Sequence, residues 1–192
     1  MVMIRALAPA FRTQRMLAQR LNESHLDQLV RFNADPEVRQ WLGGVLSAEE
    51  TREGLVERVE PHWEKYGYGL FALFEKEAEC DASGGRELVG RAGLERVADD
   101  VGDALSDPAA VELLYAMAPA YWGKGYATEI ARTLSGLALG SLDLESVVAY
   151  TLPDNARSRR VMEKVGFVYE RDLVHEGLPH VLYRRTRGGE AG

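Results

Sequence analysis

The chain has 192 residues, of which 46% are hydrophobic, and its formal net charge is −7. This size and composition predict one domain with a real hydrophobic core, and the negative charge argues against a nucleic-acid binder. The charge fits a basic substrate such as an amine only weakly, because many enzymes are acidic for solubility alone. No apolar run is long enough to span a membrane, and Met1 to Pro9 lacks the sustained apolar core of a signal peptide.

Cysteine and histidine usage excludes two further classes of protein. The single cysteine, Cys80, rules out an intramolecular disulfide framework and predicts a reducing, cytoplasmic location. It lies in a polar stretch, so we interpret it as a loop thiol. The histidines are scattered without metal-ligand spacing, and we therefore expect no metal site.

The first half of the chain predicts a strand, two helices and two more strands. Ser24–Asp27 and Ser47–Glu50 resemble capping boxes that begin the two helices, of which the first ends near Phe32. The strands are expected at residues 13–21, 68–74 and 88–94, with a polar loop over 75–86.

The second half predicts a polar loop and then alternating strands and helices. The loop covers residues 98–109; the strands are expected at 111–117, 146–151, 167–175 and 179–186, and the helices at 126–139 and 155–165. Gly177-Leu178-Pro179 is the expected turn between the last two strands. This order predicts a single-domain α+β fold with a mixed sheet of about seven strands and about four helices. We expect the domain to cover residues 13–186, after an extension at 1–12 and before a flexible tail at 187–192.

The segment Tyr121–Ile130 is the most informative stretch. A strand-like run ends at Pro119, two glycines follow, and a helical apolar pattern begins at once. The first turn of a helix has N–H groups without intrahelical partners and a positive dipole, and glycines let a phosphate approach the backbone. The spacing matches neither a P-loop nor a dinucleotide-binding motif. We expect a phosphorylated cofactor on residues 123–128; the alternative is a tight strand-to-helix connection without a ligand.

A second strand-to-helix unit follows the first. The run Val147-Val148-Ala149-Tyr150 has β character, and Asn155-Ala156-Arg157-Ser158 opens an amphipathic segment. Asn155 is a good N-cap and Gly166 a good helix stop.

The two units together resemble a known family. The pair W-G-K-G-Y-A-T-E and N-x-R-S-x-x-x-x-E-K-x-G-F is similar to the acyl-coenzyme A binding core of the GNAT superfamily of N-acetyltransferases. The branch that it most resembles is the Rim-type group, whose named members acetylate the N-termini of ribosomal proteins. The sequence also resembles the Rim-type branch at Thr13–Leu17, Ala34–Val38, His62–Gly69 and Val111–Tyr115, so the resemblance covers roughly residues 13–186. It implies a mostly antiparallel GNAT sheet.

The resemblance implies acetyl-CoA as co-substrate. The pyrophosphate is expected on the N–H groups of Gly123, Lys124, Gly125, Tyr126, Ala127 and Thr128. Trp122 stands where the wider superfamily has Gln or Arg, as is usual for the Rim-type branch. Tyr115, Ala116 and Met117 are expected to bind the pantetheine arm largely through main chain, with the Met117 N–H on the thioester carbonyl. Lys124 and Arg160 are candidate phosphate partners, or else solvated surface charges, and Arg157 and Arg159 are expected to be exposed.

Acetyl transfer needs a neutral amine, a stabilised oxyanion and a leaving thiolate. Glu112 is our candidate base, because a carboxylate in an apolar strand is costly unless used or paired and burial raises its pKa. A role in substrate binding or an ion pair remains open. Many superfamily members place a proton-donating tyrosine seven residues after the asparagine, but that position here is Met162, so Ser158 becomes the candidate that stabilises the thiolate. Asn155 is either only an N-cap or also a partner of the pantetheine amide.

The predicted function is acetyl-CoA-dependent N-acetylation of a primary amine by direct attack in a ternary complex. The acceptor is a protein N-terminus, such as that of a ribosomal protein, or a small-molecule amine. The alternative is an acyl-CoA-binding regulatory module without turnover. No membrane or nucleic-acid partner is expected, and a homodimer is open because dimers are common in the Rim-type branch. The aromatic residues expected either to shape the acceptor side or to pack in the core are Trp41, Trp63, Tyr66 and Tyr68.

Overall fold

A computed structural model describes residues 5–76 and 86–188 of the chain. The described residues form one eight-stranded sheet in the order β1-β2-β3-β4-β5-β6-β8-β7. Neighbouring strands pair antiparallel except β5 and β6, which pair parallel. The strands are β1 Ala10–Arg12, β2 Met16–Arg20, β3 Leu70–Glu75, β4 Leu88–Arg96, β5 Val111–Met117, β6 Ser146–Thr151, β7 Val168–His175 and β8 Leu178–Thr186.

The structure contains the four expected helical segments and two further helices, α2 and α5. They are α1 Leu26–Ala34, α2 Pro36–Arg39, α3 Ala48–Glu53, α4 Glu60–Tyr66, α5 Asp99–Leu105, α6 Tyr126–Gly140 and α7 Ala156–Lys164. A π-helical stretch, Gly54–Val59, joins α3 to α4, so these residues form one continuous helical run. The α+β fold with a mixed sheet is confirmed, whereas the expected numbers of strands and helices were too low.

The polar loop expected over 98–109 contains a helix. In α5 the side chain of Val101 is completely buried, and Asp99 and Asp100 lie in the first turn, where the helix dipole favours negative charge. The sequence hid this helix because few apolar residues mark its buried face. Of the strand expected over 13–21, only Met16–Arg20 is a strand, β2. The preceding β1 was not expected, so the sheet begins at Ala10, and Leu178 and Pro179 belong to β8 rather than to a turn.

One of the two expected capping boxes is correct. Ser47 Oγ accepts from Glu50 N at 3.2 Å, and Glu50 Oε2 accepts from Ser47 N at 2.7 Å. The box expected at Ser24–Asp27 is wrong, since the capping residue is Asn22, which begins a 3₁₀ turn over Glu23–His25 ahead of α1. Asn is as good an N-cap as Ser, so the pattern alone could not distinguish the two starts.

The core lies between the sheet and its helices. Helix α6 contacts β4 and β5, and its inward residues, Ile130, Ala131, Leu134 and Ala138, have no solvent exposure. Trp63 is a core residue: its ring lies edge-on to Phe71 at 5.0 Å between centroids, and its Nε1 donates to the Leu70 carbonyl at 3.0 Å. No helix in the described residues is long and apolar enough to cross a membrane. Cys80 lies outside the described residues.

Two glycines allow a paired test of backbone strain. Gly136 is exposed within α6 with nothing within 4 Å of a built Cβ, so Gly136→Ala should stabilise the fold by about 0.5–1 kcal/mol. Gly67 ends α4 at φ +74°, and a Cβ there would lie 2.8 Å from that of Ala6. Gly67→Ala should therefore lower the melting temperature, whereas Gly136→Ala raises it by about 1–4 °C. Equal shifts in the two variants, measured by calorimetry, would contradict this assignment of strain.

Candidate active site

The amino end of α6 is an exposed row of backbone N–H groups. Gly123 and Gly125 have φ of +72° and +84°, and Gly125 is the N-cap residue without any side-chain cap. Within the described residues, none of the N–H groups from Gly123 to Thr128 donates a hydrogen bond. The space around a built Cβ at Gly123 is empty to 4 Å. This arrangement suits an anion, because the donors are oriented, unpaired and accessible.

A clamp from the β1–β2 turn fixes this end of the helix. Glu129 lies in the first turn of α6, where its charge could compete with a bound anion, but three hydrogen-bond donors occupy its carboxylate. Its Oε1 accepts from Thr13 Oγ1 at 2.5 Å and from Arg15 N at 2.8 Å, and its Oε2 accepts from Arg15 Nε at 2.7 Å. Arg15 Nη1 also donates to the Lys124 carbonyl at 2.8 Å, and its guanidinium lies 4.2 Å from the centre of the Tyr126 ring. The clamp holds the carboxylate and the glycine turn in one geometry.

Trp122 ties the turn to the end of β5. Its Nε1 donates to the Met117 carbonyl at 2.8 Å, and the guanidinium of Arg157 lies over its ring at 4.7 Å. Lys124 is exposed, with its Nζ 5.8 Å from the centre of the Tyr121 ring. Arg160 is exposed on α7 and makes no hydrogen bond or ion pair within the described residues. Both cations are therefore free to move toward a bound phosphate.

Strands β5 and β6 pair at a single position, Glu112 with Val148. Ala118 N donates to Val89 O at 2.9 Å, and hydrogen bonding alternates along an antiparallel pair, so the N–H groups of Tyr115 and Met117 point away from β4. They face the side of β6, where no ladder continues beyond the single pair. This opening exposes backbone groups of β5 next to the amino end of α6.

Ser158 faces the opening from α7 and is held by Tyr115. The Tyr115 hydroxyl lies 3.0 Å from Ser158 Oγ and 3.1 Å from its carbonyl oxygen. Burial raises the pKa of Tyr115, so its hydroxyl stays protonated. Asn155 caps α7: its Oδ1 accepts from Ser158 N at 3.2 Å, and its Nδ2 donates to Thr151 Oγ1 at 3.0 Å. Met162, at the position of the missing tyrosine, is completely buried.

Glu112 stands directly across the β4–β5 pair from Glu95, so both carboxylates lie on the same face of the sheet. Glu95 is 4% exposed, and its Oε2 accepts from Arg58 Nη1 at 2.8 Å. Burial, and then the charge of Glu95, raise the pKa of Glu112 to about 8, while the Tyr150 hydroxyl and Arg58 act in the opposite direction. At about pH 8 and above, where it is ionised, a carboxylate with this pKa is a suitable proton acceptor.

The structure brings together most of the predicted site residues. Gly123–Thr128, Tyr115–Met117 and the Asn155–Ser158 turn border one opening, and Glu112 lies on the same strand as the pantetheine candidates. Arg157 is exposed as expected, but Arg159 is only partly so, because its Nε donates to the Tyr183 hydroxyl at 3.1 Å and its Nη1 to the Pro153 carbonyl at 3.2 Å.

Sequence reasoning missed four contributors: Arg15, Glu129, Glu95 and the Tyr115 hydroxyl. Glu95 carries the signal that identified Glu112, a carboxylate in an apolar strand, and could have been found by the same argument. The Arg15–Glu129 and Tyr115–Ser158 contacts join residues 114 and 43 positions apart, which no local pattern reveals.

A model of the acetyltransferase (GNAT) domain family matches residues 15–168. The chain belongs to this family. Membership implies acyl-CoA-dependent N-acetylation. Among curated relatives, YkkB, an uncharacterized protein of Bacillus subtilis, is 28% identical over 80% of this chain and 81% of its own.

Solved structures agree in fold. A GnaT-family acetyltransferase of Bordetella pertussis, described as putative, has a TM-score of 0.76 and 25% identity, covering 93% of this chain and 100% of the other. The aminoglycoside acetyltransferase AAC(6')-Ib, solved in complex with coenzyme A, has a TM-score of 0.73 and 18% identity, covering 91% and 96%. At that identity the second likeness extends to the fold alone.

The raised pKa of Glu112 predicts a pH-dependent cost to stability. Its folded pKa of about 8 lies above the ordinary value of 4.5 for a glutamate, so the folded state binds the extra proton between these values and the free energy of unfolding falls as pH rises through them. Glu112→Gln removes the ionisation and should raise the melting temperature by several degrees at pH 8.5, but much less at pH 5. Thermal melts at both pH values check this, with Glu145→Gln, an exposed position, as control. An equal effect of Glu112→Gln at both pH values would show that the carboxyl is not perturbed.

Proposed function

We propose that this protein is an acetyl-CoA-dependent N-acetyltransferase that transfers the acetyl group to a primary amine by direct attack in a ternary complex. The observation that carries the proposal is the set of unpaired N–H groups at the start of α6, beside the opening between β5 and β6. Glu112 on β5 supplies a proton acceptor on the same strand. Binding and chemistry thus meet in one place.

The residues present fit acetyl-CoA. The N–H groups from Gly123 to Thr128 would hold the pyrophosphate, where Trp122 packs the turn against β5 and leaves those donors unobstructed. Lys124 and Arg160 would add charge, and the free N–H groups of Tyr115 and Met117, with Ala116 between them, would bind the pantetheine arm. When bound, acetyl-CoA supplies an activated acyl group on a thiolate leaving group.

Glu112 would accept the proton that the attacking amine gives up, directly or through water. Its pKa of about 8 lies close to that of an α-amino group, about 8, so proton transfer between them costs little free energy. The Met117 N–H, which points into the opening, would donate to the carbonyl oxygen as negative charge develops there.

Ser158 and Tyr115 would stabilise the departing thiolate together. The serine hydroxyl alone is a poor acid, but it lies 3.0 Å from a tyrosine hydroxyl that burial keeps protonated. Tyr115, which lies on β5, would therefore help to stabilise the thiolate, a task that many superfamily members give to a tyrosine on the helix that follows the asparagine. Asn155, whose Nδ2 has a second hydrogen beyond the one used on Thr151, would remain available to the pantetheine amide.

The acceptor is a primary amine of a protein N-terminus or of a small molecule. The Rim-type motifs favour a protein N-terminus such as that of a ribosomal protein, whereas the fold neighbour AAC(6')-Ib is an aminoglycoside acetyltransferase. We propose a cytoplasmic enzyme from the cysteine content; a homodimer, as in other members of the branch, remains compatible with it.

The decisive variant is Glu112→Gln. It should lower kcat by about 10²–10³-fold with any accepted amine and abolish the rise of the rate with pH that has its midpoint near pH 8. Acetyl-CoA should still stabilise the variant, by about 2.7 kcal/mol at 100 times its Kd. Release of CoA thiol and thermal melts provide the two measurements, with Glu145→Gln as control.

Full activity of Glu112→Gln would reject Glu112 as the base. Stabilisation by acetyl-CoA without acetylation of any amine in a broad panel would instead identify a binding module. If acetyl-CoA neither stabilises the protein nor is consumed, the proposed function is wrong.

A further inference from the structure

Strand β4 carries a buried donor and a buried acceptor without partners. Within the described residues, the buried side-chain atoms that make no hydrogen bond are Asn33 Oδ1, Arg86 Nε, Arg91 Nε and Glu95 Oε1. Arg91 and Glu95 lie four positions apart on β4, so they project from the same face of the sheet. Unpaired buried polar atoms are costly, and two of opposite character on one face indicate a ligand that satisfies both.

Arg91 lies across the β4–β5 pair from the part of β5 where the thioester is expected. It pairs in register with Ala116 of β5, one residue before Met117, and it shares the face of the sheet that carries Glu112. No carboxylate of the described residues lies within 4 Å of its guanidinium. Arg91 as a whole is half-buried, but its Nε is buried and unpaired, and a buried cationic donor without a partner is costly unless a ligand supplies one.

The surroundings of Arg91 are positive, although the chain as a whole is negative. Burial, and then the charges of Arg58 and Arg39, lower the pKa of Arg91 to about 10, with Glu95 acting in the opposite direction. Arg39 is 8% exposed, and its Nε donates to the Gly44 carbonyl at 2.6 Å, a neutral partner; burial and then the charge of Arg58 lower the pKa of Arg39, and Glu50 only partly offsets them. Glu95 is already engaged by Arg58, and Glu112, with a pKa of about 8, is mostly neutral at pH 7.

We propose that Arg91, assisted by Arg39, binds a carboxylate of the substrate, and that the acceptor is an amine which itself carries a carboxylate, as an amino acid does. The guanidinium would bind the carboxylate through parallel N–H donors, the geometry that arginine favours. The free Oε1 of Glu95 would accept a hydrogen bond from the acceptor amine beside Glu112. This inference rests on the proposed acetyltransferase function and narrows its acceptor.

The subsite disfavours other acceptors. A polycation such as an aminoglycoside would meet the charges of Arg39 and Arg91, and a peptide N-terminus has an uncharged amide where an amino acid has its carboxylate. The same carboxylate chemistry could come from the acyl group, as in succinyl-CoA, because Arg91 lies beside the expected thioester position. The two sources are separable by experiment.

The first arm compares acceptors that differ only in charge. With acetyl-CoA, kcat/KM is measured for α- and ω-amino acids and for their amides. The second arm uses an amine acceptor without a carboxylate and compares kcat/KM for succinyl-CoA with kcat/KM for acetyl-CoA. We expect at least a tenfold preference for the carboxylate in the first arm. Titration calorimetry of the same acids and amides into CoA-saturated protein gives the preference as Kd values, independently of turnover.

Variants of Arg91 then identify the residue responsible. Arg91→Gln should reduce the acid-to-amide ratio of kcat/KM to about 1, mainly by lowering kcat/KM for the acids, and thermal stabilisation by acetyl-CoA checks that the variant is folded and binds the co-substrate. Arg91→Lys keeps the positive charge but loses the parallel N–H donors of the guanidinium, so it should retain part of the preference for the acid over the amide. Arg31→Gln, at an exposed position on α1, removes the same charge elsewhere and should change nothing.

The results separate this inference from the function on which it rests. If the protein prefers only succinyl-CoA and Arg91→Gln loses that preference, Arg91 binds the carboxylate of the acyl group, and the proposed amino-acid acceptor is wrong. Equal kcat/KM and equal Kd for acids and amides, with no preference between acyl groups, would overturn the subsite while leaving an active acetyltransferase. A preference that persists in both Arg91→Gln and Arg91→Lys would also overturn it. Failure of acetyl-CoA to bind would instead reject the function.

Discussion

The candidate site depends on backbone N–H groups at the start of α6 that the protein leaves without partners. Helix ends are usually capped by a side chain, and here the N-cap is a glycine in the left-handed region that has none to offer. Water lowers the cost of these unpaired donors where it reaches them, as at the exposed residues Gly123, Lys124 and Gly125. The single acidic side chain of the first turn, Glu129, accepts hydrogen bonds from Thr13 and Arg15. The turn between β1 and β2 therefore determines whether the helix end is free for an anion.

Strand β5 links this anion site to the chemistry. One edge of the strand offers main-chain groups to the opening beside β6, and one of its faces carries Glu112 opposite Glu95. Two carboxylates at directly opposed positions destabilise the fold, and burial adds to that cost. Arg58 offsets part of it by pairing with Glu95, but it leaves Glu112 with a raised pKa. The fold is thus less stable because of a carboxyl group that can serve as a proton acceptor at about pH 8 and above.

Local patterns predicted the parts of the fold that follow from local physics. The strand, glycine turn and helix around Gly123 and Gly125 were recognised because positive φ and a helix start leave marks in the sequence. Helix α5 was missed because Val101 and a few neighbours are its only apolar signal, and β1 was missed because it is three residues long. The Tyr115–Ser158 pair was beyond prediction because it depends on how α7 packs against β5. Arg91 gave no signal at all, since an arginine in a strand is ordinary until its neighbours are known.

The central claim is that the N–H groups from Gly123 to Thr128 bind the pyrophosphate of acetyl-CoA. Amide hydrogen exchange, resolved along α6 and its preceding turn, tests this most directly. Acetyl-CoA should slow the exchange of these amides at least tenfold, whereas pantetheine, which lacks the pyrophosphate, should leave the exchange of the same amides unchanged. Binding of acetyl-CoA that protects other segments and leaves the exchange of residues 123–128 unaltered would contradict the account.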